Sequence, residues 1–259
     1  MPEPLHYRYT DADSDYLLVL IHGLFGSLDN LSVVQRHFKD KVNILAIDLP
    51  DHGQSPHVDN FSLSVCMSGL VELLDQFEHK KIGLLGHSLG GKVAMLTALT
   101  YPDRIDDLIV ADIAPVSYPP RHTDIIAALK SVSLDKIQSR QDADKQLQAG
   151  IKEVGVRQFL LKSLAENSTG QWHWRFNLDN LAKHYDQIKG WPQTTGVFDK
   201  PCLFIKGSQS DYITGAMQPA IQQLFPKAKA HIIDNTGHWL HAEKPTSFNR
   251  VVEKHILNP

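Results

Sequence analysis

The sequence predicts an α/β fold in which a doubly wound, mainly parallel sheet carries a helical insertion. Apolar runs of strand length alternate with helical patterns, and this alternation stops between about residues 116 and 195. The chain has 259 residues, 42% of them hydrophobic, which is enough to bury a sizeable core. We expect a core domain formed by residues 1–115 and 196–259, with residues 116–195 as a helical cap.

The predicted strands are uniformly apolar, which is typical of a sheet covered on both faces. They lie at Tyr16–Ile21, Val42–Ile47, Ile82–Leu85, Leu108–Ala111, Cys202–Ile205 and His231–Ile233, and LHYRY near the start is compatible with an antiparallel edge strand. Helical spacing is found at Ser62–Phe77, Gly91–Tyr101, Gly215–Phe225 and Thr246–Ile256. The cap shows helical patterns at Asp124–Val132, Ala143–Val154 and Val156–Leu164, and we expect no strand in it.

Composition narrows the classes of partner. The formal net charge of -3 gives no reason to expect nucleic acid or an anionic membrane, so a small-molecule substrate is favoured. The two cysteines, Cys66 and Cys202, are expected to be free thiols in a reducing compartment. No signal-peptide pattern is visible, and the early apolar run is too short to span a bilayer. The cytoplasm is the simplest location.

The stretch 86-GHSLG-90 matches the G-x-S-x-G nucleophile elbow, with a predicted strand before it and a predicted helix after it. The glycines are expected where the chain reverses so sharply that a Cβ would collide with neighbouring backbone. The turn would hold the Ser88 hydroxyl at the carboxyl end of the sheet and at a helix N-terminus, where negative charge is favoured. Ser88 is therefore the candidate nucleophile.

A serine nucleophile needs a general base and an oxyanion hole. His238, in the loop 234-DNTGHWLHAEKP-245 between the last predicted strand and helix, is the candidate base. His238 and His241 have the spacing of a metal pair, but no ligand cluster joins them, so we expect neither metal nor cofactor. In 20-LIHGLFGS-27 the backbone N–H of Leu24 or Phe25 is expected to serve the oxyanion, together with that of Leu89.

The motifs HGLFGS, DLPDHGQS, GHSLGG, DIAPV and TGHWLHAEKP together resemble the α/β-hydrolase superfamily, and within it the YbfF-like esterases. The resemblance extends over almost the whole chain. It implies the α/β-hydrolase fold, with a helical cap over the site, and hydrolysis of an ester or thioester. It also suggests that Arg121 pairs with a carboxylate or phosphate of the substrate.

The acid that orients His238 has two candidates. Many α/β-hydrolases carry G-x-x-D after the strand that corresponds to CLFIK, but here Gly207 leads to Ser210, and Asp211 is displaced by one residue. Asp112 ends the strand after the nucleophile helix, and the YbfF-like proteins resemble this chain in having both that aspartate and a serine at position 210. We favour Asp112, with Ser210 bonded nearby and Asp211 as the alternative.

Several activities are compatible with this set of residues. We expect a serine esterase for short acyl esters, with Phe25 and Trp239 as walls of the acyl pocket. An acyl-CoA thioesterase is the nearest alternative, and a carbon–carbon bond hydrolase or a cofactor-free haloperoxidase would use the same triad. A hydrolase-fold binding protein is the non-enzymatic alternative, but it would have no need for the complete catalytic set.

Overall fold

The computed structural model describes residues 3–78 and 80–257, and its main feature is one seven-stranded sheet. In chain order the strands are β1 (Tyr7–Thr10), β2 (Tyr16–Ile21), β3 (Asn43–Ile47), β4 (Lys81–His87), β5 (Asp107–Ala111), β6 (Leu164–Glu166), β7 (Trp172–Trp174), β8 (Cys202–Gly207) and β9 (Ala228–Ile233). The sheet order is β1-β3-β2-β4-β5-β8-β9. All pairs are parallel except β1 with β3, so the predicted fold class and the antiparallel edge strand are confirmed.

Helices separate the strands of the sheet. They are α1 (Ser32–Phe38), α2 (Leu63–Leu74), α3 (Leu89–Thr100), α4 (Thr123–Ser131), α5 (Arg140–Leu147), α6 (Val154–Leu161), α7 (Leu178–Lys183), α8 (Tyr185–Lys189), α9 (Gln218–Leu224), α10 (Leu240–Glu243) and α11 (Pro245–Leu257). The sequence analysis missed α1, α7, α8 and α10, which are too short to show a clear helical period. Among the described residues, no helix has the length and apolarity needed to cross a membrane.

Both faces of the sheet bury apolar side chains. Along β2, Leu17 and Val19 belong to one apolar layer and Leu18 and Leu20 to the other, because successive side chains of a strand point to opposite faces. The first layer contains residues of α2 and α3, and the second contains residues of α1 and α11. The edge strand β9 departs from this pattern, since most of its residues are exposed.

The segment between β5 and β8, residues 116–195, is called the insertion below. It contains α4 to α8, but also the antiparallel pair β6 and β7, which the sequence analysis did not expect. Each strand has three residues, and the turn between them ends at Gly170, where φ is +81°. Three residues are too few to show the alternation of a strand, although NSTG is a turn signal.

Helix α5 ends at Leu147, seven residues before the expected end at Val154. Gly150 lies just beyond it, where an added Cβ would come within 2.8 Å of the Ala128 Cβ in α4. The chain therefore leaves the helix to pack closely against α4, and a new helix, α6, begins at Val154.

Candidate active site

Ser88 lies at the sharp turn between β4 and α3. Its φ of 53° and ψ of -117° are a strained combination for a residue with a side chain. A Cβ on Gly86 would lie 2.2 Å from the carbonyl oxygen of Gly90, and a Cβ on Gly90 would lie 2.2 Å from that of Ile21. The close approach of neighbouring backbone therefore requires both glycines, for the steric reason inferred from the sequence.

His238 and Asp112 meet at one edge of the sheet, where His238 lies in the loop after β9 and Asp112 directly follows β5. The Nδ1 atom of His238 lies 2.8 Å from Oδ2 of Asp112, whose side chain is fully buried. The Asp112 carboxylate also accepts hydrogen bonds from the Gly207 N–H, at 3.2 Å, and from the Ser210 hydroxyl. With Nδ1 donating to Asp112, Nε2 of His238 is left to accept a proton.

The ring of Tyr212 stacks on the His238 ring. The ring centroids are 3.8 Å apart, and the planes differ by 18°. The Tyr118 hydroxyl donates to the Tyr212 carbonyl oxygen at 2.6 Å, which fixes the loop that carries Tyr212. The sequence analysis did not identify Tyr212, although it directly follows Asp211.

Asp211 pairs with Arg121 instead of with His238. Its Oδ1 lies 2.5 Å from Nη1 of Arg121, and 73% of its side chain is exposed. The hydrogen bond from Arg121 is the main reason that the pKa of Asp211 lies below its usual value. The geometry therefore does not support the alternative in which Asp211 orients His238, because the one-residue displacement aims its carboxylate at Arg121.

Arg121 reaches the site from the insertion. Its guanidinium carbon lies 4.5 Å from the centroid of the Tyr212 ring, and its Nε is buried without a hydrogen-bond partner among the described residues. Arg121 lies next to the space beside Ser88, where a substrate contact was expected. Its charge is already balanced by Asp211.

Two backbone N–H groups remain available for an oxyanion. Leu89 is the first residue of α3, so its N–H has no acceptor within the helix. The Leu24 N–H makes no hydrogen bond within the described part of the chain. The Phe25 N–H, the other expected donor, instead donates to Nε2 of His52 at 3.1 Å. Of the two expected donors, the Leu24 N–H is therefore the one without a hydrogen bond within the described part of the chain.

His22 shapes the loop that carries Leu24. Its Nδ1 lies 2.7 Å from the Gly23 carbonyl oxygen, and its Nε2 accepts the Leu49 N–H at 3.0 Å. Burial lowers its pKa to about 4, so the ring is neutral near pH 7. These contacts give His22 a structural role in the loop.

Two further histidines lie beside His238. Nε2 of His87 bonds to the His238 carbonyl oxygen at 2.8 Å, and the His87 and His241 rings are 4.5 Å apart. Burial lowers the pKa of His241 to about 3, and its Nδ1 has no hydrogen-bond partner among the described residues. Residues 3–78 and 80–257 contain no group of three or more His, Cys, Asp or Glu side chains placed to hold a metal ion.

Lys92, which the sequence analysis missed, joins α3 to the insertion. It is 2% exposed, and its Nζ donates to the carbonyl oxygens of Lys189 and Gly190 at 2.7 and 2.8 Å, at the end of α8. Burial lowers its pKa to about 7. Its position in GHSLGGK, four residues after Ser88, is the available signal, but sequence alone does not indicate the partner.

Ser88 lines two cavities of unequal size. The smaller, about 30 Å³, is lined by Leu89, Ile113 and Ile188. The larger, about 230 Å³, is lined by His238, Trp239 and Phe159. Both cavities share Leu24, Arg121, His122 and Tyr212 with Ser88. Ser88 is therefore next to two spaces that a bound ester could fill.

This fold and this site define a class of protein, and comparison with known sequences agrees. Residues 18–251 match the Alpha/beta hydrolase family, so the chain belongs to that family. The resemblance stated from the motifs is thereby confirmed.

Two named relatives make the assignment more specific. The chain is 40% identical over 240 residues to Esterase YbfF of Escherichia coli (strain K12), with 92% of each chain covered. It is also 40% identical over 256 residues to the mouse sn-1-specific diacylglycerol lipase ABHD11, covering 95% of this chain and 83% of the mouse protein. A solved structure described as a marine microorganism esterase has a TM-score of 0.93 and 36% identity, covering 97% of this chain and 99% of the other. These relatives confirm the expected class of enzyme, a carboxylic ester hydrolase.

Proposed function

We propose that the chain hydrolyses esters with a short acyl group through an acyl-enzyme on Ser88. The observation that carries the proposal is the bond between His238 Nδ1 and the buried Asp112 carboxylate, beside a cavity that both His238 and Ser88 line. In this mechanism Asp112 holds the His238 ring in the tautomer whose Nε2 accepts a proton.

The reaction begins when the Ser88 Oγ attacks the ester carbonyl and transfers its proton to Nε2 of His238. The carbonyl oxygen becomes an oxyanion, which accepts hydrogen bonds from the backbone N–H groups of Leu24 and Leu89. His238 then gives the proton to the leaving oxygen, and the alcohol departs. Water repeats the same steps on the acyl-enzyme and releases the acid.

The two cavities support a specific orientation of the ester. His238 protonates the leaving alcohol, and it lines only the larger cavity, so we place the alcohol there and the acyl group in the smaller one. A cavity of about 30 Å³ has room for about two small groups of atoms. Phe25 and Trp239 then line the alcohol side, in contrast to the acyl-pocket role expected from the sequence.

A thioester such as an acyl-CoA is the alternative substrate. A phosphate or carboxylate on the substrate would have to compete with Asp211 for Arg121, because these two side chains already form an ion pair. If the Arg121 charge recognises the substrate, Arg121→Gln would lower kcat/KM for a CoA thioester and leave kcat/KM for a neutral ester unchanged.

The insertion forms the cap in this proposal. The cytoplasm remains the proposed compartment, since Cys66 and Cys202 are both free thiols.

The first test is hydrolysis of p-nitrophenyl acetate by the purified protein and by Ser88→Ala. Turnover by the parent and its loss in the variant, with unchanged circular dichroism, is the expected result. Equal rates in both proteins would contradict a serine mechanism. Mass spectrometry of the quenched reaction should also detect the acyl group on Ser88.

The orientation is tested by varying the acyl group on one leaving group. We expect kcat/KM to fall from p-nitrophenyl acetate to butyrate to octanoate. Ile188→Ala, in the smaller cavity, should shift the preference towards longer acyl groups. Phe159→Ala, in the larger cavity, is the matched control and should not. A shift with Phe159→Ala alone would place the acyl group on the opposite side.

A further inference from the structure

The Phe25 peptide groups are held from two sides, one in the core and one in the insertion. The Phe25 N–H donates to Nε2 of His52 at 3.1 Å, and its carbonyl oxygen accepts from the Ser163 hydroxyl at 2.9 Å. Ser163 lies between α6 and β6. The φ of Phe25 is 61°, a value that costs energy in a residue with a side chain and needs support from its surroundings.

His52 is a fixed acceptor. Its Nδ1 lies 2.8 Å from the Pro50 carbonyl oxygen and donates to it, so Nε2 carries the lone pair that the Phe25 N–H requires. The side chain is fully buried, and burial lowers its pKa to about 3, which keeps the ring neutral.

The Phe25 ring extends the contact with the insertion. Its centroid lies 5.0 Å from that of Phe176 and 6.4 Å from that of His122. Phe25 is 2% exposed, so displacement of the insertion would uncover this ring as well as break the bond to Ser163.

The Leu24 N–H belongs to the neighbouring peptide group. The Gly23 carbonyl oxygen is held by the Gly26 N–H at 3.0 Å and by His22 Nδ1 at 2.7 Å. A peptide group is planar and trans, so fixing this oxygen sets the opposite direction for the Leu24 N–H. The turn from Gly23 to Gly26 also contains Phe25, and its geometry therefore depends on both contacts of Phe25.

We propose that Ser163, acting with His52, is a positioning residue for the oxyanion hole. The inference rests on the proposed function, because it assigns the Leu24 N–H to the oxyanion. The contact between Ser163 and the Phe25 carbonyl oxygen therefore lets the insertion support the turn that aims the Leu24 N–H. Ser163 acts through Phe25 and does not touch the substrate.

The experiment compares Ser163→Ala, Ser163→Thr and Ser131→Ala on p-nitrophenyl acetate. Ser131 is the matched control, since its hydroxyl also donates to a carbonyl oxygen at 2.8 Å, but to Ala128 within the insertion. We expect Ser163→Ala to lower kcat roughly 10- to 100-fold at nearly constant KM. Ser163→Thr should recover most of kcat, and Ser131→Ala should keep the parent value.

A trifluoromethyl ketone gives the second readout, because its adduct with Ser88 carries an oxyanion. Ser163→Ala should weaken this inhibitor by the same factor as kcat, while binding of the corresponding unreactive alcohol stays unchanged. His52→Leu should have a similar effect, and the double variant should lose less than the product of the two single effects, since both residues hold one turn.

Two results would overturn the inference. One is an unchanged kcat in Ser163→Ala, and the other is a loss of inhibitor and alcohol affinity by the same factor, as expected from general loosening of the cavity. If the parent shows no Ser88-dependent turnover, the proposed function fails and takes this inference with it. If the parent is active and one of the two results is found, the inference alone is wrong.

Discussion

The loops at the carboxyl edge of the sheet and the insertion are held in place by different means. Phe25, Ser88 and Asp112 all have positive φ and are almost fully buried. Strained backbone therefore lies at two residues proposed to react and in the turn that carries the Leu24 N–H. Within the insertion, all of which the structure describes, the one residue with positive φ is Gly170.

The insertion is fixed to the core partly through a few polar side chains. Asp51, in the loop after β3, accepts hydrogen bonds from the side-chain amides of Asn177 and Asn180 at 3.1 and 2.7 Å. Lys92 and Ser163 supply further bonds between the two regions. The comparison indicates that the backbone of the core positions the proposed nucleophile and acid, whereas the insertion is positioned partly by polar contacts between side chains and the core.

Apart from the loss of turnover expected for Ser88→Ala, the largest effect expected in the core is that of Asp112→Asn. An amide in place of the carboxylate favours the wrong His238 tautomer, and kcat for p-nitrophenyl acetate should fall about 10⁴-fold. Asp211→Asn is the matched control and should stay within about threefold of the parent, because Asp211 contacts Arg121. If Asp211→Asn were the variant that lost activity, the assignment of the acid would be reversed.

Acid should lower the free energy of unfolding, and the core should contribute more of this loss than the insertion. Among the described residues, burial lowers the pKa of six histidines. His122 lies in the insertion, and the other five lie in the core: His22, His52, His87, His241 and His255. The unfolded chain takes up these protons near pH 6.5 and the folded chain does not, so stability is complete above pH 6.5 and falls with pH towards about 4.

Each of these histidines contributes roughly 1.4 kcal/mol per pH unit to the slope. Urea unfolding between pH 7 and 5 measures the slope of the free energy of unfolding against pH. The variant His241→Leu should reduce this slope by the contribution of one histidine. His241 suits this test because its Nδ1 has no hydrogen-bond partner to lose among residues 3–78 and 80–257. A free energy of unfolding that does not change over this range would contradict the buried neutral state.

Sequence predicted the groups that lie at strand ends, because parallel strands bring their carboxyl ends to one edge. Ser88, Asp112 and His238 were chosen as candidate catalytic residues for this reason. The choice between Asp112 and Asp211 stayed open, since a displacement of one residue in a turn does not reveal where a side chain points.

The supporting contacts were beyond sequence reasoning for a different reason. Ser163 and Phe25 are 138 residues apart, and Lys92 contacts carbonyl groups about a hundred residues away. No local period or motif encodes such pairs. The hairpin of β6 and β7 was missed because strands of three residues carry too little pattern.

Of the predicted effects, the smallest is the loss of stability expected for Lys92→Met, which tests how the insertion is attached to the core. It leaves carbonyl groups at the end of α8 without their donor, and the free energy of unfolding should fall by about 1–3 kcal/mol. Lys130→Met is the control, because Lys130 is an exposed lysine of the insertion that pairs with Asp179.

The loss caused by Lys92→Met should depend on pH. Burial lowers the Lys92 pKa to about 7, whereas the unfolded side chain titrates near 10.4, so the unfolded parent holds the extra proton between these values. The parent therefore gains stability relative to Lys92→Met as the pH rises through this window, and the difference measured by urea unfolding should be larger at pH 9 than at pH 6. A difference that is the same at pH 6 and pH 9 would mean that Lys92 stays charged in the fold, and its carbonyl contacts would then outweigh its burial.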